Sequence, residues 1–466
     1  MRRGVADGTM RALESDGRDG LGLRVRPELY FVRRQAPPGP RSPGWCTLND
    51  RLRASPPTCL ALAILLAGCG RHDRHDWANV FEATPAFLIA RAAEAPALAC
   101  DRHGRVALTW VSRDSLGQDL WLSFSADSGL TFSEPVRVNP RAGSVSSLAG
   151  NRPLPVLGPG GELLVAWSER RASDPLVADL VARVGGVSGS TLGPPVTIND
   201  DAADSMSVFH GYPTITFLPG GNVFAAWIDH REDAETESTG EPTASIFYAL
   251  SGDGGQSWSD NRALTGRACP CCRPAALGDA SGVVAVAYRA AGDHLREPAL
   301  AISRDRGASF ALDSIVVADR WWLAACPLDG PALEMDGTGG GHYAWYSGAG
   351  EGGAWIAPWH LDAALAGTRR SLSDSLSHVG HPRLDRLGDA TLIALEGRPR
   401  ADSTRRVVAV RTLESDGRLS AWLFLGADAG DAWLAAPDER TALVCWAERG
   451  DRDSRVRVVR LTRRRR

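Results

Sequence analysis

A ten-residue phrase occurs three times in this chain, and it constrains the fold more than any other feature. Ser123 to Phe132, Ala249 to Trp258 and Ala301 to Phe310 each contain Ser-x-Asp-x-Gly-x-Ser/Thr followed by an aromatic residue, and each follows or includes the end of a short apolar run. Such a phrase reads as a strand, a tight turn and the start of a return strand. The aspartates, Asp127, Asp253 and Asp305, can accept hydrogen bonds from backbone amides across the turn, and the glycine can take positive φ. The aromatic residue is free to pack beneath the loop.

A second, longer repeat runs from about residue 79 onward with a period of roughly 50–60 residues, a spacing that suggests propeller blades. Its unit is a proline, an apolar strand, a glycine-containing turn and a strand ending in an aromatic residue. Units begin at Pro96, Pro153, Pro213, Pro274 and Pro331, with looser ones at Pro382 and Trp433. They supply the two inner strands of a four-stranded blade, and the Asp-containing hairpins supply the outer two. The polar insertion at 229–242 reads as a surface loop of the third unit. The last unit has one further strand, 455–461, before the chain ends, whereas 79–89 lies ahead of the first unit without a partner. The expected fold is therefore all-β: a β-propeller of four-stranded blades, with seven favoured over six. The N-terminal strand is expected to complete the last blade, leaving no long sheet edge open. Fifty glycines and fifteen tryptophans suit such a turn-rich architecture.

The three phrases resemble the Asp-box, or bacterial neuraminidase repeat, of sialidase-like β-propellers. That resemblance covers about residues 79–466 at the level of repeats. It implies a glycan-related function and, in the enzymes of the family, three arginines clamping a carboxylate, a Tyr–Glu nucleophile pair and an aspartic acid/base. The family's Arg-Ile-Pro phrase is absent. Arg152-Pro153 and Arg273-Pro274 are the nearest equivalents, with Arg289 as a third clamp. Tyr212 stands for the nucleophile, Glu169 for its base and Asp329 for the acid. A cluster of cysteines beside Arg273 lies outside the usual family site and marks a divergent subgroup.

Propeller geometry sorts the remaining residues by face. If each inner strand starts at the top, the Asp-containing turns fall on the bottom rim as structural elements. Residues just before each unit's proline, and just after its aromatic, face the top. Arg152, Tyr212 with His210, Arg273, Asp329 and His381 then converge near the axis, with Glu169 and Arg289 around them. Arginines, carboxylates and histidines around one concave mouth suit an anionic or sugar ligand.

Cysteines form the sharpest local feature. Cys269-Pro270-Cys271-Cys272 precedes Pro274, and Cys326-Pro327 occupies the matching place one unit later. Four thiols should meet there, as one or two disulfides pinning the entry loops or as a thiolate site for copper(I) or zinc. No cofactor is otherwise required. Cys100 and Cys445 lie in apolar strands and read as core.

Residues 59–69 carry the address. Arginines precede the apolar run from Cys59 to Leu66, which closes in Leu66-Ala67-Gly68-Cys69. A basic flank, a short apolar segment and small residues make a signal peptide, and the closing residues resemble a bacterial lipobox with Cys69 as the lipidated position. The domain reading is an N-terminal extension at 1–50, a lipoprotein signal at 51–69 and a propeller at 79–466. The expectation is a monomer held to the bacterial cell envelope by its lipid. All 52 basic residues are arginine, yet the formal net charge is −3, which gives no support to a nucleic-acid partner. Two functions stay open: a non-catalytic propeller that binds a glycan or another small anion at its mouth, or an exo-α-sialidase-type glycoside hydrolase.

Overall fold

The computed structural model describes residues 80–464, apart from 148–149, 173, 175–176, 187–190, 203–207, 233–242, 363–366 and 451–452. The signal segment with Cys69, and most of the polar insertion at 229–242, lie outside the described residues.

Strands dominate, and no α-helix occurs among the described residues. They form six antiparallel sheets, of five, five, eight, four, four and four strands, and the eight-stranded one divides into two successive four-stranded units; the resulting seven units are here called blades 1–7. The innermost strands are Ala93–Cys100, Leu154–Leu157, His210–Phe217, Ala275–Gly278, Ala332–Met335, Leu376–Leu387 and Ala429–Ala435. Each packs beside the next, and the last packs beside the first, so the seven make a cycle around an axis. This is a β-propeller. Blades 3 and 4 are additionally linked by the pairing of Ala268 with Ala290.

The core sits between blades, because each sheet presents an apolar face to both neighbours. One cluster joins blades 7 and 1 through Leu443, Cys445 and Val458 against Leu98, Leu108 and Trp110. Equivalent clusters fill the other six junctions. Trp167, Trp227 and Trp345, near the ends of second strands, are fully buried. A buried indole needs a partner for its N–H, and the chain supplies carboxylates: Glu169 for Trp167, Asp229 for Trp227 and Asp319 for Trp345.

Ring closure follows the sequence expectation. Phe81–Ala83 and Phe87–Arg91 pair with Ser454–Arg463, the third strand of blade 7, and so complete that blade. The three Ser-x-Asp-x-Gly turns are also built as expected. In the second, Ser251 Oγ donates to Asp253 Oδ1 and accepts the Gly255 amide, while Ser257 donates its amide and hydroxyl to the Asp253 carboxylate. These bonds, and their equivalents from Ser309 and Ser303, hold the Asp253 and Asp305 carboxyls down at about 2. At Asp127 burial pushes the carboxyl up, but the bonds from Thr131 and Ser125 outweigh it and bring the group to about 2 as well.

Each turn glycine lies in the left-handed region and seats against the preceding blade, Gly129 on Leu443, Gly255 on Leu164 and Gly307 on Phe224. The turns also touch the inner-strand turns of their own blades, through Ser128 N–H to the Gly104 carbonyl and Arg306 N–H to the Gly282 carbonyl. They therefore share the end of the ring at which the inner strands finish, and the entry loops of the inner strands lie at the other end.

Candidate functional site

Four inner strands begin with the same irregularity. The register slips between Glu94 and Ala97, Gly211 and Thr214, Gly380 and Arg383, and Gly430 and Trp433. Within these slips Ala95, Tyr212, His381 and Asp431 take positive φ, which is uncommon for residues other than glycine. A bulge re-aims the side chains that follow it. Here it turns Arg383 and Trp433 toward the axis, two residues that counting from each unit's proline does not select.

Three arginines meet at Trp433. The guanidinium carbons of Arg152, Arg273 and Arg383 lie 5.1, 4.7 and 5.0 Å from its ring centroid. The indole N–H donates to the Leu98 carbonyl, which fixes the ring. Arg152 is buried; its two Nη groups donate to the Asp431 carboxylate and carbonyl and to the Pro96 carbonyl, and its Nε has no hydrogen-bond partner among the described residues. Arg383 is buried and donates to the Pro382 carbonyl. Arg273 is half-buried and makes no hydrogen bond or ion pair with a described residue. Burial, then the charges of Arg383 and Arg152, push Arg273 well down from the arginine range. Burial and Arg152 push Arg383 down to about 10. A guanidinium keeps its proton at neutral pH, so the three charges repel one another, and an anion would relieve that repulsion.

A cavity of about 870 Å3 extends along the axis from this cluster. Arg273, Arg383 and Trp433 line one end of it, and His103, Gly388 and Glu439 line the other. All seven inner strands contribute to the wall, with Thr214, Thr216, Asp385 and Arg386 among its polar groups. Burial, opposed by the Arg386 and Ala436 amides, raises the Asp385 carboxyl to about 6.

The other residues singled out in the sequence divide into separate groups. Asp329 is buried; its Oδ2 accepts the His381 amide, and its Oδ1 has no hydrogen-bond partner among the described residues. Arg289 is buried beside Trp321 and donates to the Asp329 and Tyr346 carbonyls. Tyr212 is buried in an apolar cluster against which Cys271 packs, and burial pushes its hydroxyl far up. Glu169 is held by Arg141 and the Trp167 indole. His210 lies fully buried, with Nδ1 on the Ala178 carbonyl and Nε2 3.0 Å from Asp201 and 3.5 Å from Asp229. Of the predicted ligand and catalytic residues, only Arg273 lines the axial cavity. The convergence expected at an open mouth is thus a set of buried contacts around the entry loops, with the cavity beneath them.

The four clustered cysteines lie together. The Sγ atoms of Cys269, Cys271, Cys272 and Cys326 are all within 4.8 Å of one another. Cys271 and Cys326 are joined as a disulfide, and Cys269 Sγ is 3.9 Å from Cys326 Sγ. Burial would raise the Cys269 thiol, but Cys272, Arg289 and the Cys271 amide bring it down to about 7; burial raises Cys272. Cys445 is core, and Cys100 is partly buried at the same blade junction.

No family model matches the chain, and no curated protein matches it. Solved structures do. A microbial sialidase, Hadza Hz136, is 15% identical over 74% of this chain and 73% of its own, with a TM-score of 0.43. The polysaccharide lyase Uly1 is 11% identical over 85% and 94%, with a TM-score of 0.49. The α-L-arabinanase of Penicillium chrysogenum is 13% identical over 83% and 98%, with a TM-score of 0.43.

Proposed function

We propose that this chain is a non-catalytic, envelope-anchored propeller that binds a small acidic sugar in its axial cavity. Arg273 carries the reading: a guanidinium without a partner among the described residues faces the cavity, crowded by two further arginines on one indole. A carboxylate there would gain a charge-assisted, bidentate contact and offset the repulsion within the cluster. The cavity volume falls in the range of small-molecule sites, and threonine, carboxylate and arginine groups along the wall suit a polyhydroxylated ligand. The lipobox-like Leu66-Ala67-Gly68-Cys69 supports the envelope address. A sialidase-type reaction is less well supported, because Tyr212 is buried in an apolar cluster while Glu169 is engaged by Arg141 and Trp167.

Calorimetric titration with N-acetylneuraminate, glucuronate and galacturonate tests this. Removing a hydrogen bond to a charged group costs about 1.5–3 kcal/mol, so Arg273→Met should weaken binding by roughly 10- to 150-fold. Equal affinity in Arg273→Met, or no binding by any acid sugar, would overturn the assignment. Turnover of an aryl sialoside would overturn the non-catalytic part.

A further inference from the structure

Four sulfurs gathered at one point need a chemical account that the axial cavity does not give, since none of the four cysteines lines it. We propose that Cys269, Cys271, Cys272 and Cys326 bind one zinc ion as a closed tetrathiolate centre tying the entry loops of blades 4 and 5.

The first support is distance. With Zn–S near 2.3 Å, sulfurs at the corners of a tetrahedron stand about 3.8 Å apart. The Cys269–Cys326 separation is 3.9 Å, and no pair among the four exceeds 4.8 Å. With Cys271 and Cys326 in the thiol form rather than joined, side-chain rotations would bring all four to one centre.

The second support is the surrounding shell. Cys269 and Cys272 have the two-residue spacing of zinc-binding turns, and the Cys272 amide donates to the Cys269 carbonyl across that turn. A zinc tetrathiolate carries a formal charge of −2. The guanidinium groups of Arg289 and Arg296, both buried, adjoin the cluster, and Arg289 Nη1 has no hydrogen-bond partner among the described residues.

The third is that a metal employs every sulfur present. The Cys271–Cys326 disulfide accounts for two and leaves Cys269 and Cys272 as buried thiols beside a buried cation. Zinc takes all four. Binding forms four Zn–S bonds, releases the four thiol protons to solvent and transfers no electrons, so it requires the thiols before any disulfide forms.

The test is elemental analysis of the full chain, purified under reducing conditions without chelator and supplied with zinc. One zinc per chain is expected, falling at least tenfold in Cys272→Ser and Cys326→Ser and unchanged in Cys100→Ser. Cobalt(II) in the unmutated protein should give thiolate-to-metal charge transfer and the intense visible bands of a tetrahedral site, a readout independent of how the variants fold. Wild-type protein with less than a tenth of an equivalent of zinc would refute the proposal. So would full zinc in Cys272→Ser, or copper(I) retained in preference to zinc.

Discussion

Substituting alanine for Gly255 tests whether the Ser-x-Asp-x-Gly turns clamp adjacent blades together. Gly255 has φ +95°, and a methyl group there would lie 2.5 Å from Leu164 Cδ1 and 3.2 Å from Val184 Cγ2 of blade 2. Gly221, in an inner turn of the same blade, has φ +79° with nothing within 4 Å of such a methyl. Both variants incur the left-handed penalty of about 1–2 kcal/mol. Overpacking adds about 1–3 kcal/mol in Gly255→Ala alone, for a total of roughly 2–5 kcal/mol. Urea unfolding of the two variants, compared where their m values agree, reads the difference. Leu164→Ala made in the Gly255→Ala background removes the obstructing side chain, so the double variant should cost less than the sum of the singles by more than about 0.5 kcal/mol. Equal losses in Gly255→Ala and Gly221→Ala, together with strict additivity in the double variant, would sink the clamp.

Two pH dependences follow from the described groups. Asp385 shares the cavity with Arg273 and titrates near 6 because of its burial; its ionisation adds a negative charge, so acid-sugar affinity should weaken as pH rises through 6. Asp385→Asn should flatten that profile in titrations from pH 5 to 8, and an unchanged slope would exclude Asp385 as its source. His210 is the second case. Burial opposes its protonation, but Asp201 and Asp229 raise its pKa above the ordinary 6.5. A raised histidine contributes stability that is complete below 6.5 and is lost as pH climbs through the folded value. The urea midpoint should therefore fall with pH above 6.5 in the wild type, and less steeply in His210→Gln. Parallel slopes would argue against the charged pairing.

Much of the architecture could be read from the chain because it repeats. The proline-to-aromatic units gave the inner strands, the Asp-containing phrases gave outer turns, and the unpartnered 79–89 segment gave the closing strand. The cysteine cluster was legible for the same reason, since Cys269 and Cys326 hold matching places in successive units. Arg383 and Trp433 were not legible. Counting from the proline selected His381, but the bulge between Gly380 and Arg383 shifts the axial position two residues onward. A one-residue slip reverses the faces of a strand, and nothing in alternation alone reports it. Glu169 misled differently: it follows Trp167 by two residues and looked like a mouth residue, yet it serves that indole. His210, read as a mouth residue, is enclosed between blades 2 and 3 by Asp201 and Asp229.

The strand pairing that completes blade 7 also orders events during synthesis. Thr84 bonds Arg460, 376 residues away. At about 5–20 residues per second, a ribosome takes roughly 20–75 s to deliver the partner. Throughout that interval Phe81–Ala83 and Phe87–Arg91 lack the blade 7 edge that they join, and six junctions can form before the seventh. A chain stopped short of Ser454 would hold most of its core and still present open edges at both ends, which makes the final strand the point at which translation commits the ring to its native state.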